Sequence, residues 1–203
     1  MTSISTSRPL PTVCSVALKE WAVTINALGQ GKQLLLMRKG GISEQGKDFR
    51  VIHPEFLLYP TYEHQQSDLL KTIHQYELQR TINDCTSPEI ISFSHWARVE
   101  QVIDLTEQWK LKNLFPYHIW TSDYADKRFR WKPTRPLSIL LLKVYKLEHP
   151  QNIPLLPRYG GCSSWVDLAE EVSLGTVTSV LPDDDFERSI DLICKALRVP
   201  ARS

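Results

Sequence analysis

Two cations followed by two glycines, Arg38-Lys39-Gly40-Gly41, close an apolar run that begins at Leu34. Glycine reaches positive φ freely, and successive amides in such a turn can form an anion-binding nest. With two cations beside it, the natural ligand is a phosphate. The stretch is not the G-x-x-x-x-G-K-[ST] phosphate loop and no helix start follows it, so a plain turn with solvated cations competes. A second glycine pair, Gly160-Gly161, follows Arg158 and precedes Cys162. The chain has eight glycines, and the two pairs hold half of them. Arg158 and the amides here could take a phosphate. Cys162 beside a helix N-terminus would be an activated thiol. A tight turn that docks Trp165 is the plain alternative.

The third cluster is Lys127 to Arg135, where five cations surround Phe129 and Trp131. Cations for phosphates and rings for bases are what single-stranded nucleic-acid binders use. An ordinary strand gives the same pattern, with Arg128, Arg130 and Lys132 on one face and Phe129 and Trp131 on the other. The two readings differ in one observable: a stacking Trp131 is exposed and a core Trp131 is not. A fourth group, His53, Glu55 and His64, could relay a proton or hold a divalent metal, but its spacing matches no zinc motif. With Cys162, these are the candidate catalytic residues. Asp183 to Asp185 imitate a metal site, yet they precede an amphipathic stripe and read as helix caps. No metal and no cofactor is expected.

These groups must be held by regular elements. Leu18, Trp21, Ile25 and Leu28 recur at helical spacing before Gly29, so a helix is expected over about 16–28, with a strand as the alternative. Leu34 to Arg38 reads as a covered strand. "FRVIHPEFLLYP" gives one or two short strands stopped by Pro60, and Leu69, Leu70, Ile73 and Tyr76 mark a helix over about 65–80. Residues 97–105 alternate as a strand with one wet face, and Thr106 is a candidate cap for a short helix through Trp109. Residues 137–147 are apolar on both faces, which suits a central strand. Trp165, Leu168 and Val172 suit a helix, with Ser164 and Asp167 as its capping pair. Trp21, Trp109 and Trp165 thereby take helical core positions. Phe186, Ile190, Ile193 and Leu197 form the stripe of a last helix, acidic at its start and basic at its end.

Helices and strands interleave without a βαβα rhythm, which predicts an α+β fold: a mixed or antiparallel sheet with packed helices in a single main domain. The expected division is a flexible N-terminal tail over 1–14, an α+β core over 15–155, and a C-terminal helical segment over 156–203 packed on it. At 203 residues, 42% apolar and 23% charged, the chain can bury a full core without disulfides. A net charge of +1 provides no global pull toward nucleic acid or membrane, so any such attraction must be local. Cys14, Cys85, Cys162 and Cys194 form no C-x-x-C pair and read as reduced thiols of a cytoplasmic protein. The first dozen residues lack the apolar core of a signal peptide, and no run approaches the ~18 apolar residues of a membrane helix.

The segments "ALKEWAVTINALGQGKQLLLMRKGGIS", "FLLYPTYEHQ", "WKPTRPLSILLLKVYKL" and "YGGCSSW" resemble the bacterial domain of unknown function numbered 1802, common in cyanobacteria. The resemblance carries no catalytic residues over. Some relatives are joined to a restriction-endonuclease-like domain, which implies a link to DNA metabolism by association. A nuclease of that type needs an acidic residue and then Glu or Gln, any residue, and Lys on the next strand. Here Gln108 to Lys110, with Asp104 four residues before, does not make that step. The leading expectation is a nucleic-acid or phosphate-ligand binding domain using Arg38, Lys39, Gly40, Gly41, Arg128, Arg130, Trp131, Lys132, Arg158, Gly160 and Gly161. A protein-interaction module without chemistry is the first alternative, and a small hydrolase or nuclease the second.

Overall fold

The computed structural model describes residues 9–39, 51–63, 65–83, 87, 89–161 and 163–201. Thus Gly40, Gly41, His64, Cys85, Cys162 and the first eight residues of the expected tail lie outside the described residues. The order is β1 (Val13–Trp21), α1 (Ala22–Gly29), β2 (Leu35–Arg38), β3 (Glu55–Thr61), α2 (Thr72–Asn83), β4 (Ile90–Leu105), α3 (Trp109–Leu114), α4 (Ser122–Arg130), β5 (Leu137–Pro154), β6 (Trp165–Ser173), β7 (Val177–Ser179) and α5 (Asp183–Leu197). Short 3-10 turns lie at Ser67–Leu69, Phe115–Tyr117 and Pro157–Tyr159.

One seven-stranded sheet runs in the order β2-β5-β4-β3-β1-β6, with β7 also on β5. The β1–β3 pair is parallel and the others are antiparallel. The fold is therefore α+β around a mixed sheet. Its spine is the long β4–β5 hairpin, whose register shifts between Phe93 and His95 and again between Val99 and Gln101. Such bulges bend and twist a ribbon. The bend is what lets the end of β2 meet the end of β1 despite their distance in strand order: Arg38 Nη2 donates to Lys19 O and to Glu20 Oε2, both at 2.8 Å.

The sheet and helices enclose a main core that includes Leu28, Leu35, Leu36, Phe56, Trp120, Leu140, Leu141, Ile190 and Leu197. Helix α1 has no polar face. Ala22, Val23, Thr24, Ile25, Ala27 and Leu28 are all buried, as expected of a helix wrapped by other elements. A smaller cluster around Phe93, Trp96, Tyr145, Tyr159 and Leu168 fills the other side of the sheet.

Several elements differ from the sequence expectation. The helix expected over 16–28 starts only at Ala22, because residues 13–21 are recruited as the strand between β3 and β6. Strand β3 passes through Pro60 to Thr61. The helix expected from 65 begins at Thr72, and Ile73 and Tyr76 are 78% and 73% exposed instead of facing the core. The helix expected around Trp165 is strand β6. Val166, Leu168 and Val172 are its buried residues; they are an even number apart, as one face of a strand requires, and with Glu170 exposed between them the four-residue step from Leu168 to Val172 also fits a helical turn. Residues 163–201 accordingly contribute two strands to the sheet besides α5. The stripe of α5 is as expected, with Phe186, Ile190, Ile193 and Leu197 buried. Its three aspartates occupy the first turn but none caps it. The N-cap is Pro182, Asp183 pairs with Lys143 at 2.6 Å and Asp185 pairs with Arg188. Helix α3 is likewise not capped by Thr106; its N-cap position is Gln108.

Candidate nucleic-acid interface

The basic segment Lys127 to Arg135 is not an alternating strand. Residues up to Arg130 form α4, started by Thr121, whose hydroxyl accepts from the Tyr124 amide at 3.3 Å. Lys127, Arg128 and Arg130 fall in the last turn, where cations complement the helix dipole. Pro133 disfavours a helical residue before it, and Lys132 turns the chain at φ 49°. Helical spacing then sends neighbouring cations in different directions. Arg128 turns inward and lies 5.2 Å from the Tyr124 ring centre. Arg130 is exposed, and Trp131 is 43% exposed with Lys132 Nζ 4.4 Å from its ring centre.

The inward cations gather at the junction of β1, β2 and α4. Glu20 and Arg38 are 8% and 7% exposed and form the ion pair across the bend. Lys39, also buried, donates Nζ to Phe129 O and lies 5.0 Å from the Phe129 ring centre. Burial lowers the Lys39 ammonium from its ordinary value. Burial raises the Tyr124 phenol. Burial opposes the charge on Arg128, but Tyr124 and Glu20 outweigh it and raise its pKa. Two of the basic clusters, Arg38-Lys39 and Lys127–Arg135, therefore converge, with Arg38 and Lys39 facing inward instead of outward.

The second glycine turn reaches the same strand from the other side. Lys19 Nζ donates to Gly161 O at 3.0 Å, and Gly161 sits at φ +78° with open space where a Cβ would be. Gly160 follows the 3-10 turn, and Arg158 lies exposed, 5.5 Å from the Tyr159 ring centre. A shallow apolar recess of about 250 Å³ opens there, lined by Leu155, Leu156, Pro157 and Gly160. Of the candidate catalytic residues, His64 and Cys162 lie outside the described residues, and His53 and Glu55 each have a different partner. His53 packs edge-on against Trp165 at 5.3 Å, while Glu55 accepts from Arg98 Nε at 3.0 Å. Among the described residues, no group of three or more His, Cys, Asp or Glu could hold a metal ion.

Beneath α3 and α4 runs a row of rings. Phe115, His118, Trp120, Tyr124 and Trp21 follow one another at centre distances of 6.0, 5.6, 5.0 and 5.6 Å, and Trp120 stacks on Tyr124 at 17°. Burial, reinforced by the nearby Lys71 charge, lowers His118 to about 3, so it is neutral. The Trp120 main chain opposes that shift only weakly, and neither ring nitrogen has a partner in hydrogen-bond geometry. Burial likewise lowers His95 to about 4; its Nδ1 is 2.9 Å from Ser94 Oγ, and its ring abuts Gly29, whose added Cβ would lie 2.4 Å from Nε2.

The residue that sequence reasoning misplaced is Trp109. As the first residue of α3 it is 43% exposed, with Arg198 Cζ 5.2 Å and Lys110 Nζ 5.7 Å from its ring centre. Its indole N–H donates to Glu107 Oε1 at 3.0 Å. The local signal was there: polar residues at 106–108 make Trp109 the opening residue of its helix, where a side chain is less enclosed than in mid-helix.

A family-wide sequence profile, Domain of unknown function (DUF1802), matches residues 17–191. The chain belongs to this family. No curated protein and no solved structure matches it. The DUF1802 match spans β1 to the middle of α5, so both the junction and the exposed α4 end fall within it. Among the described residues, no helix of this DUF1802 chain is long and apolar enough to cross a membrane.

Proposed function

We propose that this DUF1802 protein is a nucleic-acid binding domain linked to DNA metabolism, with its contact surface at the C-terminal end of α4. The observation that carries the reading is the exposure of Trp131 between exposed Arg130 and half-buried Lys132. A core tryptophan would be covered. An exposed indole flanked by cations has what a stacked base and its phosphate require. Lys127 adds another exposed charge, while the tie from Lys39 to Phe129 O anchors the end of the helix to the sheet. The net charge of +1 makes such binding local, and hence strongly dependent on salt.

The test is binding of a fluorescent DNA oligonucleotide by anisotropy at several salt concentrations. Affinity should fall linearly on a log–log plot, with a slope of roughly −2 to −3 if three or four phosphates are neutralised. Absence of binding at about 50 mM salt, or an affinity indifferent to salt, overturns the reading. A second reading, a protein-interaction module, is favoured by Ile73 and Tyr76, exposed one turn apart on α2. Ile73→Ser combined with Tyr76→Ser separates the two: it should leave nucleic-acid affinity unchanged and abolish a protein contact made through α2.

A further inference from the structure

Among the described residues, the two that are not glycine yet have positive φ are Lys132 and Arg198, at 49° and 55°. Left-handed backbone is costly for a residue with a Cβ, and glycine is the usual occupant just past a helix end. Both positions lie there: Lys132 is two residues beyond the end of α4, and Arg198 is the C-cap of α5. Both residues are cations, and each lies over a tryptophan that is 43% exposed, Lys132 over Trp131 and Arg198 over Trp109. The same arrangement is thus built twice, from different helices, at a backbone cost in each case. Strain retained at two such places points to function.

The two stations belong to one helical layer. Helix α3 is tied to α4 by Gln108 Nε2 to Asp126 Oδ1 at 2.9 Å, and to α5 by Asn113 Nδ2 to Ala196 O at 2.8 Å. At about 1.5 Å per residue, Trp131 lies only about 7.5 Å along α4 from the Asp126 that touches the start of α3. Glu107 holds the Trp109 indole through its N–H and also pairs with Lys110 at 2.7 Å, so the ring is oriented and not loose. The row of rings from Phe115 to Trp21, buried at His118, Trp120 and Tyr124, ties α4 to β1 behind the layer. An indole has two faces; Lys132 lies over Trp131, while Trp109 has two cations near its ring, Arg198 at 5.2 Å and Lys110 at 5.7 Å from the centre.

We propose that the α3–α4–α5 face is a track for single-stranded nucleic acid with two stacking stations, Trp109 and Trp131. Arg198 and Lys132 are positioning residues that hold the indoles and meet the flanking phosphates. This rests on the nucleic-acid reading above and narrows its ligand. Duplex bases are already stacked on one another and cannot lie on two protein rings, whereas unpaired bases can.

The test compares an oligothymidylate of about 12 nucleotides with a duplex of equal length, using the full chain and its Trp109→Ala, Trp131→Ala, Lys132→Gly and Arg198→Gly variants. The single strand should bind more tightly than the duplex, and each tryptophan variant should lose roughly ten-fold or more on the single strand and little on the duplex. The glycine variants should also bind the single strand more weakly, while thermal unfolding shows them no less stable than the parent, which separates lost contact from lost fold. If Trp131→Ala weakens binding and Trp109→Ala does not, the two-station track is wrong and the broader reading stands. If the duplex binds equally well and loses equally, the single-strand assignment is wrong and the broader reading again stands. If neither nucleic acid binds at low salt, both fall together.

Discussion

The junction of β1, β2 and α4 and the outer face of α3, α4 and α5 are built from the same residue types and use them oppositely. At the junction, Arg38, Lys39 and Arg128 point inward, onto Glu20, the Phe129 carbonyl and the Tyr124 ring. On the outer face, Lys132 and Arg198 lie over exposed indoles. Arg128 and Lys132 are four residues apart, yet one lies against Tyr124 of its own helix within reach of the Glu20 charge, and the other lies over an exposed indole. What separates them is the end of α4: a helix sends Arg128 back under the layer, and the left-handed turn at Lys132 sends the next cation out. A basic cluster read along the chain is therefore two clusters in space, and only one of them can meet a ligand without breaking the fold.

That contrast can be tested from the inside outward. Glu20→Ala should be the most damaging change, because it strips a carboxylate from an Arg38 guanidinium that is itself buried. A loss of about 3 kcal/mol is expected, seen as a lower urea midpoint with an unchanged slope. Arg130→Ala, by comparison, should change stability by less than about 0.5 kcal/mol while reducing the salt slope of binding by about 0.7. If Glu20→Ala is tolerated, the junction is not a structural clamp and its cations return as ligand candidates.

The floor of the outer face should respond to acid. His118 titrates near 3 in the fold and near 6.5 in the unfolded chain, so between those values the unfolded chain binds the extra proton. Stability should therefore fall as pH drops below 6.5, by about 2 kcal/mol at pH 5 from this residue. His95, lowered to about 4, acts in the same direction. His118→Phe should flatten the acid limb in a series of urea titrations from pH 7 to pH 5, and an unchanged limb would show that the ring is not buried as described. Smallest of all, Lys132→Gly and Arg198→Gly should relieve left-handed strain and raise stability by up to about 1 kcal/mol in the same assay. A clear loss instead would mean that the cation–indole contacts hold the layer together.

Much of this was legible from local pattern. The stripe of α5, the strands at 35–38 and 137–147, and the α+β class follow from periodicities that each element satisfies on its own. The pattern misled where two elements share a run of apolar residues. Leu18 and Trp21 belong to β1 and Ile25 and Leu28 to α1, yet all four fit one helical repeat. In β6 the four-residue step from Leu168 to Val172 is two strand periods as well as about one helical turn, so the apolar spacing fits both. Ile73 and Tyr76 also fit a helical stripe, but among the described residues no other element covers that face of α2.

The sequence by itself determined which residues could serve a phosphate or a base: the cations of Lys127 to Arg135, the Arg38-Lys39 pair and an abundance of tryptophan. It also supplied the observable that would decide among them, the exposure of Trp131. Only the tertiary structure decided which cations are spent inside and which remain outside, and that Trp109, 22 residues upstream, stands in the same layer as Trp131. The reason is physical. Residue type sets what a side chain can do, but the direction it faces depends on where a helix ends and what packs against it. For Arg38 and Glu20 that meant a bend in a long hairpin, which no local stretch of sequence encodes.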